Sequence, residues 1–370
     1  MVIDLLFWAG AETQLRHLAI GLQRLGFAVT LLALADATSY VADLDMAGVQ
    51  LQVLGVRRRR DKLRALPEMV RLARGTDLVH CTGWDASLWG RLAAIGARRP
   101  VVVTEHTAGR EFQVSRSGAP RERLIALHNR LLDRFTSATV VVADSQVGLL
   151  ESEGVRPSSI VRIPNAVPLA ELRLGAEGGA DRAALGVPDE AKLVVHAARF
   201  TPPKGQPVTL RAVARLRERL GDIRVLFAGS GPEEEGVRRL AAELDAGWAT
   251  FLGSRDDVPA LLRAADLAVL PSTAEGLPMS LIESMAVGTP VVATDVGDVR
   301  WLLERTGGGL CVAAGDEDAF AEACGRVLGD DKLRLGLGEA GVAGAAGFDA
   351  PRMAERYAEV FEAAIAGGPR

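Results

Sequence analysis

Short apolar runs rich in Val, Leu and Ala alternate with segments of helical period along nearly the whole chain. Residues 2–8 form the first run. In residues 11–25, Leu15, Leu18, Ala19, Leu22 and Leu25 share one helical face, and Gly26 supplies a stop. Further strands are predicted at 27–33, 50–56, 77–82, 101–106 and 139–145, with helices near 62–74, 86–97 and 122–135. Continuous apolar strands separated by helices are what a parallel sheet covered on both faces requires. The predicted fold class is α/β.

The pattern breaks over residues 164–190, where Pro164, Pro168, Pro188 and several glycines leave no period. This segment reads as a linker. Alternation then restarts, with strands at 193–198, 224–228, 250–252, 267–270 and 290–294 and helices near 205–220, 234–245, 258–265 and 279–287. The chain therefore reads as two Rossmann-like domains in tandem. Residues 351–366 form a last helix, with Met353, Tyr357, Val360, Phe361 and Ile365 at helical spacing. It follows a Gly/Ala-rich turn region, 336–347, that would let it leave its own domain. The expected divisions are 1–168, 169–350 and 351–370.

Composition narrows the class. The chain has 370 residues, 48% hydrophobic and 24% charged, which excludes disorder, collagen and disulfide scaffolds and suits two or three domains. Cys81, Cys311 and Cys324 have no metal or redox spacing and read as reduced thiols. No apolar run approaches the ~20 residues that span a bilayer, and residues 1–4 lack a secretory n-region. The expected location is the cytoplasm, at the inner face of the membrane if a basic stretch meets lipid. That stretch is Arg57-Arg58-Arg59-Arg60-Asp61-Lys62-Leu63-Arg64. It lies in a half with 21 Lys/Arg against 16 Asp/Glu over residues 1–168, whereas the remainder has 22 against 31. Two readings stay open for it: a solvated loop and helix start, or contact with an anionic lipid or acceptor. Nucleic acid is not an expected partner, because no aromatics interleave the cations and no nucleic-acid-binding signature accompanies them.

Candidate chemistry sits at predicted strand ends. Ala9-Gly10-Ala11-Glu12 opens the first helix, where free N–H groups favour an anion and Gly10 lets a ligand come close; a tight turn is the bland alternative. Arg199 and Lys204-Gly205 follow the first strand of the second half, and a fork plus a point charge suits a pyrophosphate. Gly229-Ser230-Gly231-Pro232 ends the next strand at the same edge. The strongest signal is Ser272-Thr273-Ala274-Glu275-Gly276-Leu277-Pro278-Met279-Ser280-Leu281-Ile282-Glu283. It places Glu275 in a loop, Glu283 inside the next helix, and the N–H groups of Leu277, Met279 and Ser280 between them as an anion or sugar-oxygen site. His106 and His80 each end a strand, and for both a structural role is the competing reading. Asp43-Leu44-Asp45 is formally a D-x-D metal motif, but it lies in a predicted helix and reads as chance.

Taken together with Gly288-Thr289-Pro290-Val291-Val292, these segments resemble the retaining glycosyltransferases of family 4, which have the GT-B fold. The likeness spans nearly the whole chain and is most specific over residues 193–315. It implies two Rossmann-like domains facing an interdomain cleft, with the last helix crossing back to the first domain. It implies an acceptor-side first domain, and a second domain that holds most of a UDP- or GDP-linked sugar. It implies no cofactor and no metal site, the diphosphate charge being met by Arg199, Lys204 and backbone N–H groups. By the same resemblance Glu283 would bond the ribose hydroxyls, Glu275 would lie near the donor sugar, and His106 would face the reacting centre. Gly10, Gly229, Gly276, Leu277, Pro278, Met279 and Ser280 would complete the donor site, and Asn165 would belong to the interdomain turn. Ala9 departs from the family's usual glycine, and Leu277 from its usual phenylalanine.

The expected activity is therefore transfer of a hexosyl group, with retention of configuration, to a hydroxyl on a glycan, a lipid-linked acceptor or a natural product. Acceptor contacts are expected from residues 57–64 and 110–120. The alternatives weighed are a GT-B epimerase or phosphorylase, and a non-catalytic sugar-nucleotide-binding partner of another transferase.

Overall fold

The structure, a computed structural model, describes residues 1–6, 10–106 and 119–369. The chain forms two compact units. The first contains Met1–Ala166 together with Ala350–Arg370, and the second is Val167–Asp349.

In the first unit seven parallel strands pair in the order β3-β2-β1-β4-β5-β6-β7. They are β1 (Val2–Ile3), β2 (Thr30–Ala33), β3 (Gln50–Val53), β4 (Val79–Thr82), β5 (Val101–Glu105), β6 (Ala138–Val141) and β7 (Ile160–Arg162). The second unit has six parallel strands in the order β10-β9-β8-β11-β12-β13. These are β8 (Lys192–Ala197), β9 (Ile223–Ala228), β10 (Ala249–Gly253), β11 (Leu267–Leu270), β12 (Val291–Thr294) and β13 (Gly309–Val312). Successive side chains of a strand feed opposite cores. Leu193 and Val195 enter one cluster and Val194 the other, and Val102 faces away from Val101 and Val103. Two buried faces are why these strands read as unbroken apolar runs rather than as alternating ones.

The order of each sheet reverses at one place, between β1 and β4 in the first unit and between β8 and β11 in the second. The crevice outside the carboxyl ends of such a switch point is where open α/β sheets take ligands. No described helix is long and apolar enough to cross a membrane.

The last helix, Ala350–Gly367, belongs to the first unit. It lies on Gly10–Arg24, where a Cβ on Gly21 would come within 2.5 Å of the Ala354 Cβ. Met353, Tyr357 and Phe361 are buried in that unit's core.

Several expectations need correction. The expected linker holds a helix, Leu169–Gly175, whose Leu169 and Leu172 are buried in the second unit's core. Arg182 ties the same stretch down by bonding the Ala264 carbonyl and Asp266. The Gly/Ala-rich stretch 336–347 is not a turn region but most of a helix, Asp331–Ala345. Its glycines are sites of close helix packing: a Cβ on Gly338 would meet the Gly288 carbonyl at 2.5 Å, and one on Gly344 the Thr306 Cα at 2.4 Å. Tertiary contact there overrides low helix propensity. β1 is shorter than the 2–8 run, with an isolated bridge from Leu6 to Ala37 beyond it. β7, β13 and the helices Val299–Thr306 and Glu317–Gly329 are unforeseen. Asp43 does lie in a helix, Val41–Met46, and pairs with Arg16 at 2.8 Å.

Candidate active site

The carboxyl edge of the second sheet carries the chemistry. β8 runs into Arg199 and then a short 3-10 turn, Pro202–Lys204, while β11 runs into Ser272 and Glu275. The two loops meet across the switch point. Lys204 Nζ donates to Glu275 Oε1 at 2.6 Å, and Thr273 N–H donates to the Pro203 carbonyl at 2.8 Å. The Glu275 side chain is only 6% exposed, so this pair is sheltered and stronger than a surface ion pair. Ser272 Oγ also donates to Glu275 Oε1, at 2.7 Å.

Arg199 is exposed and forms no ion pair among the described residues. Its backbone is fixed instead: the buried Gln206 donates its Nε2–H to the Arg199 carbonyl at 2.9 Å. The two expected cations therefore differ, one held against a carboxylate and the other open to solvent.

Gly229 and Gly231 have a packing role that the sequence does not show: they leave room for the neighbouring loop. A Cβ on Gly229 would lie 2.1 Å from the Ala198 carbonyl, and one on Gly231 would lie 2.3 Å from the Phe200 carbonyl. Phe200 N–H bonds the Ser230 carbonyl at 3.0 Å and Glu233 N–H bonds the Phe200 carbonyl at 3.1 Å. The β8 and β9 loops are thus one rigid ledge beneath Arg199.

Glu283 lies in the helix Met279–Ala286 and is partly buried. Burial pushes its carboxyl up to about 7. Pro278 is the residue at which this helix begins, with extended backbone. Gly276 is buried, and its carbonyl accepts from Asp298 N–H at 2.9 Å. Leu277 is buried in the second unit's core, and Met279 and Ser280 open the helix that carries Glu283. The turn Gly297–Asp298, unassigned in the sequence, packs against Glu275 and Gly276; its signal was a glycine just past an apolar strand.

In the first unit, His106 follows β5 and is partly buried, and burial pulls its ring down to about 4, leaving it neutral at physiological pH. His80 is fully buried, with Nε2 2.8 Å from Thr104 Oγ1, which is in turn 3.1 Å from the Tyr357 hydroxyl. That network ties the last helix to β4 and β5 and decides for a structural His80. Gly10 is the first residue of Gly10–Arg24, and among the described residues nothing stands within 4 Å of where a Cβ would be. Asp4, also unassigned in the sequence, accepts from the N–H groups of Asp85 and Ala86 and so caps the helix Trp84–Ala97 from another strand. Burial pushes its carboxyl up to about 6. Gln14 grips the backbone of Ala166 through both amide atoms, next to Asn165. Ala9 and most of residues 110–120 lie outside the described residues.

The basic stretch is not uniformly solvated. A helix, Arg59–Arg74, starts within it, and Lys62 is buried, pairing with Asp85 at 2.5 Å. Arg57 is exposed and pairs with Asp36.

Two family models match the chain: Glycosyltransferase Family 4 over residues 8–171, and Glycosyl transferases group 1 over residues 191–330. A D-inositol 3-phosphate glycosyltransferase of Nocardia farcinica is 33% identical, over 78% of this chain and 67% of that protein. A phosphatidyl-myo-inositol mannosyltransferase of Mycolicibacterium smegmatis is 30% identical, over 88% of this chain and 83% of that protein. Among solved structures, HepE of Anabaena in complex with UDP and glucose superposes with a TM-score of 0.84 at 22% identity, covering 97% of both chains. The two parallel-sheet units, the paired loops at the second switch point and these likenesses agree: the chain belongs to the family 4 glycosyltransferases and has the GT-B fold.

Proposed function

We propose that this glycosyltransferase takes a hexosyl group from a UDP- or GDP-linked sugar and passes it, with retention of configuration and without a metal, to a hydroxyl of an anionic polyol or lipid-linked acceptor. The observation that carries the donor half is the Lys204–Glu275 contact across the β8/β11 switch point, with Arg199 open beside it. Arg199 and the spare protons of Lys204 meet the diphosphate, Glu275 meets the sugar, and Glu283 accepts from the ribose hydroxyls. Gly10, Gly229, Gly276, Leu277, Pro278, Met279 and Ser280 shape the donor's surroundings. UDP is the diphosphate bound in the HepE structure.

Transfer proceeds by front-face attack. The acceptor oxygen bonds to the anomeric carbon as the bond from that carbon to the diphosphate oxygen breaks, and its electron pair stays on the diphosphate. The acceptor proton moves to the leaving phosphate oxygen. Catalysis then rests on positioning and on cations placed where negative charge grows. His106, neutral at physiological pH, hydrogen-bonds at the reacting centre rather than supplying charge. The names of the inositol-phosphate relatives and the exposed part of the basic stretch support an anionic acceptor, and that stretch also supports peripheral contact with an anionic membrane.

Thermal stabilisation by a panel of UDP- and GDP-sugars identifies the donor; a ligand at ~100 times its Kd adds about 2.7 kcal/mol. Transfer is then followed with inositol phosphates and phosphatidylinositol vesicles, and NMR of the product reads the anomeric configuration. Inversion, or activity lost to a chelator and restored by a divalent ion, overturns the corresponding part of the proposal. No stabilisation by any nucleotide sugar overturns the whole.

A further inference from the structure

Ser272 follows β11 by two residues and is completely buried. Its Oγ stands 2.7 Å from Glu275 Oε1. An ionised carboxylate only accepts, so the hydroxyl donates. Lys204 Nζ donates to that same Oε1 at 2.6 Å. With both donors on one oxygen, Glu275 Oε2 takes no hydrogen bond among the described residues. Lys204 directs one of its three protons at the carboxylate and keeps the others.

Ser272 is itself clamped. Thr294 Oγ1, at the end of β12, donates to the Ser272 carbonyl. Gly297 holds the far side of the loop, since a Cβ there would lie 2.2 Å from the Glu275 carbonyl and 2.5 Å from that of Gly276. The clamp thus sets both the path of the loop and the orientation of the carboxylate.

We propose that Ser272 is a positioning residue for sugar transfer. It commits one oxygen of Glu275, so that the other faces the donor sugar. This rests on the transferase reading above. A serine that merely filled space would affect stability and activity independently of Glu275. One acting through Glu275 has no effect once that carboxylate is gone.

A double-mutant cycle separates the two. Donor kcat/KM is measured for the parent, Ser272→Ala, Glu275→Ala and the double variant, while calorimetry titrates UDP and GDP in turn. Ser272→Ala alone should lower kcat/KM about tenfold, the scale of one hydrogen bond to a charged group. Added to Glu275→Ala it should cost less than about twofold, and its own UDP and GDP affinities should stay within about twofold of the parent. Ser272→Cys, similar in shape with a weaker donor, should fall between parent and Ser272→Ala, and it replaces the alanine variant if that one does not fold. Additive losses, or UDP and GDP affinities that fall as far as kcat/KM, overturn the assignment and leave the transferase reading standing. A parent that turns over no UDP- or GDP-sugar overturns both.

Discussion

Glu283 combines a proposed ligand contact with a cost to the fold. Its carboxyl rises from 4.5 to about 7 because burial disfavours the charge. The folded protein therefore holds this proton more tightly than the unfolded chain. Stability from this group is full below about pH 4.5 and declines as pH rises through 7. Glu283→Gln, neutral throughout, should raise unfolding stability by ~1–3 kcal/mol at pH 8 and change it little at pH 4, as read by urea titrations at the two pH values. Glu283→Ala should weaken nucleotide binding by roughly 1–3 kcal/mol, through lost hydrogen bonds to the ribose. Unchanged affinity in calorimetry would count against the ribose assignment. The Glu275–Glu283 spacing was legible in the chain because a loop and its following helix are contiguous. The partner of Glu275 was not, since Lys204 reaches it only through the pairing of β8 with β11.

At the scale of elements, the basic helix and the glycine-bearing helix each set a local preference against a tertiary contact. Lys62 and the arginines around it look alike in the sequence, yet Lys62 is buried against Asp85. Lys62→Ala should cost about 1–3 kcal/mol, because it removes a buried stem and the hydrogen-bonded partner of a half-buried carboxylate. Replacing Arg57, Arg58, Arg59 and Arg60 with Gln should leave stability nearly unchanged. It should raise the apparent acceptor constant at low salt, with the difference fading as the Debye length shrinks from about 10 Å at 0.1 M to about 3 Å at 1 M. Indifference of acceptor kinetics and of liposome association at low salt would leave the solvated-face reading. In the helix Asp331–Ala345, Gly344→Ala gains about 1 kcal/mol of helix propensity. It also drives a methyl to 2.4 Å from the Thr306 Cα, so the net should be a loss of about 1–3 kcal/mol, visible as a lower Tm.

Across the whole molecule, the first unit's core is completed by the far end of the chain. Met353, Tyr357 and Phe361 are each at most 5% exposed, and burial of such side chains stabilises by about 1.5–3 kcal/mol apiece. Their sum is comparable with the total stability of a domain. A chain ending at Asp349 should therefore lose the cooperative unfolding transition of the first unit and expose apolar surface to a hydrophobic dye. A retained two-unit calorimetric profile would show that the helix is dispensable.

The two-sided parallel sheets, the second domain's restart near residue 193, the last helix and the positions of the charged loop residues are legible in the chain alone. Each of these is written in contiguous residues: unbroken Val/Leu runs, a 3.6-residue period, or a motif spanning one turn. Tertiary structure alone decided that residues 169–175 are a helix packed on a core and that 336–347 continue one. It also decided that Gly229 and Gly231 make room for Ala198 and Phe200, that His80 serves a buried network, and that Lys62 is interior. In every one of those cases the deciding partner lies far along the chain and is brought close only by strand order or helix packing. A residue's local pattern states what it can do, and its distant neighbours settle which of those roles it takes.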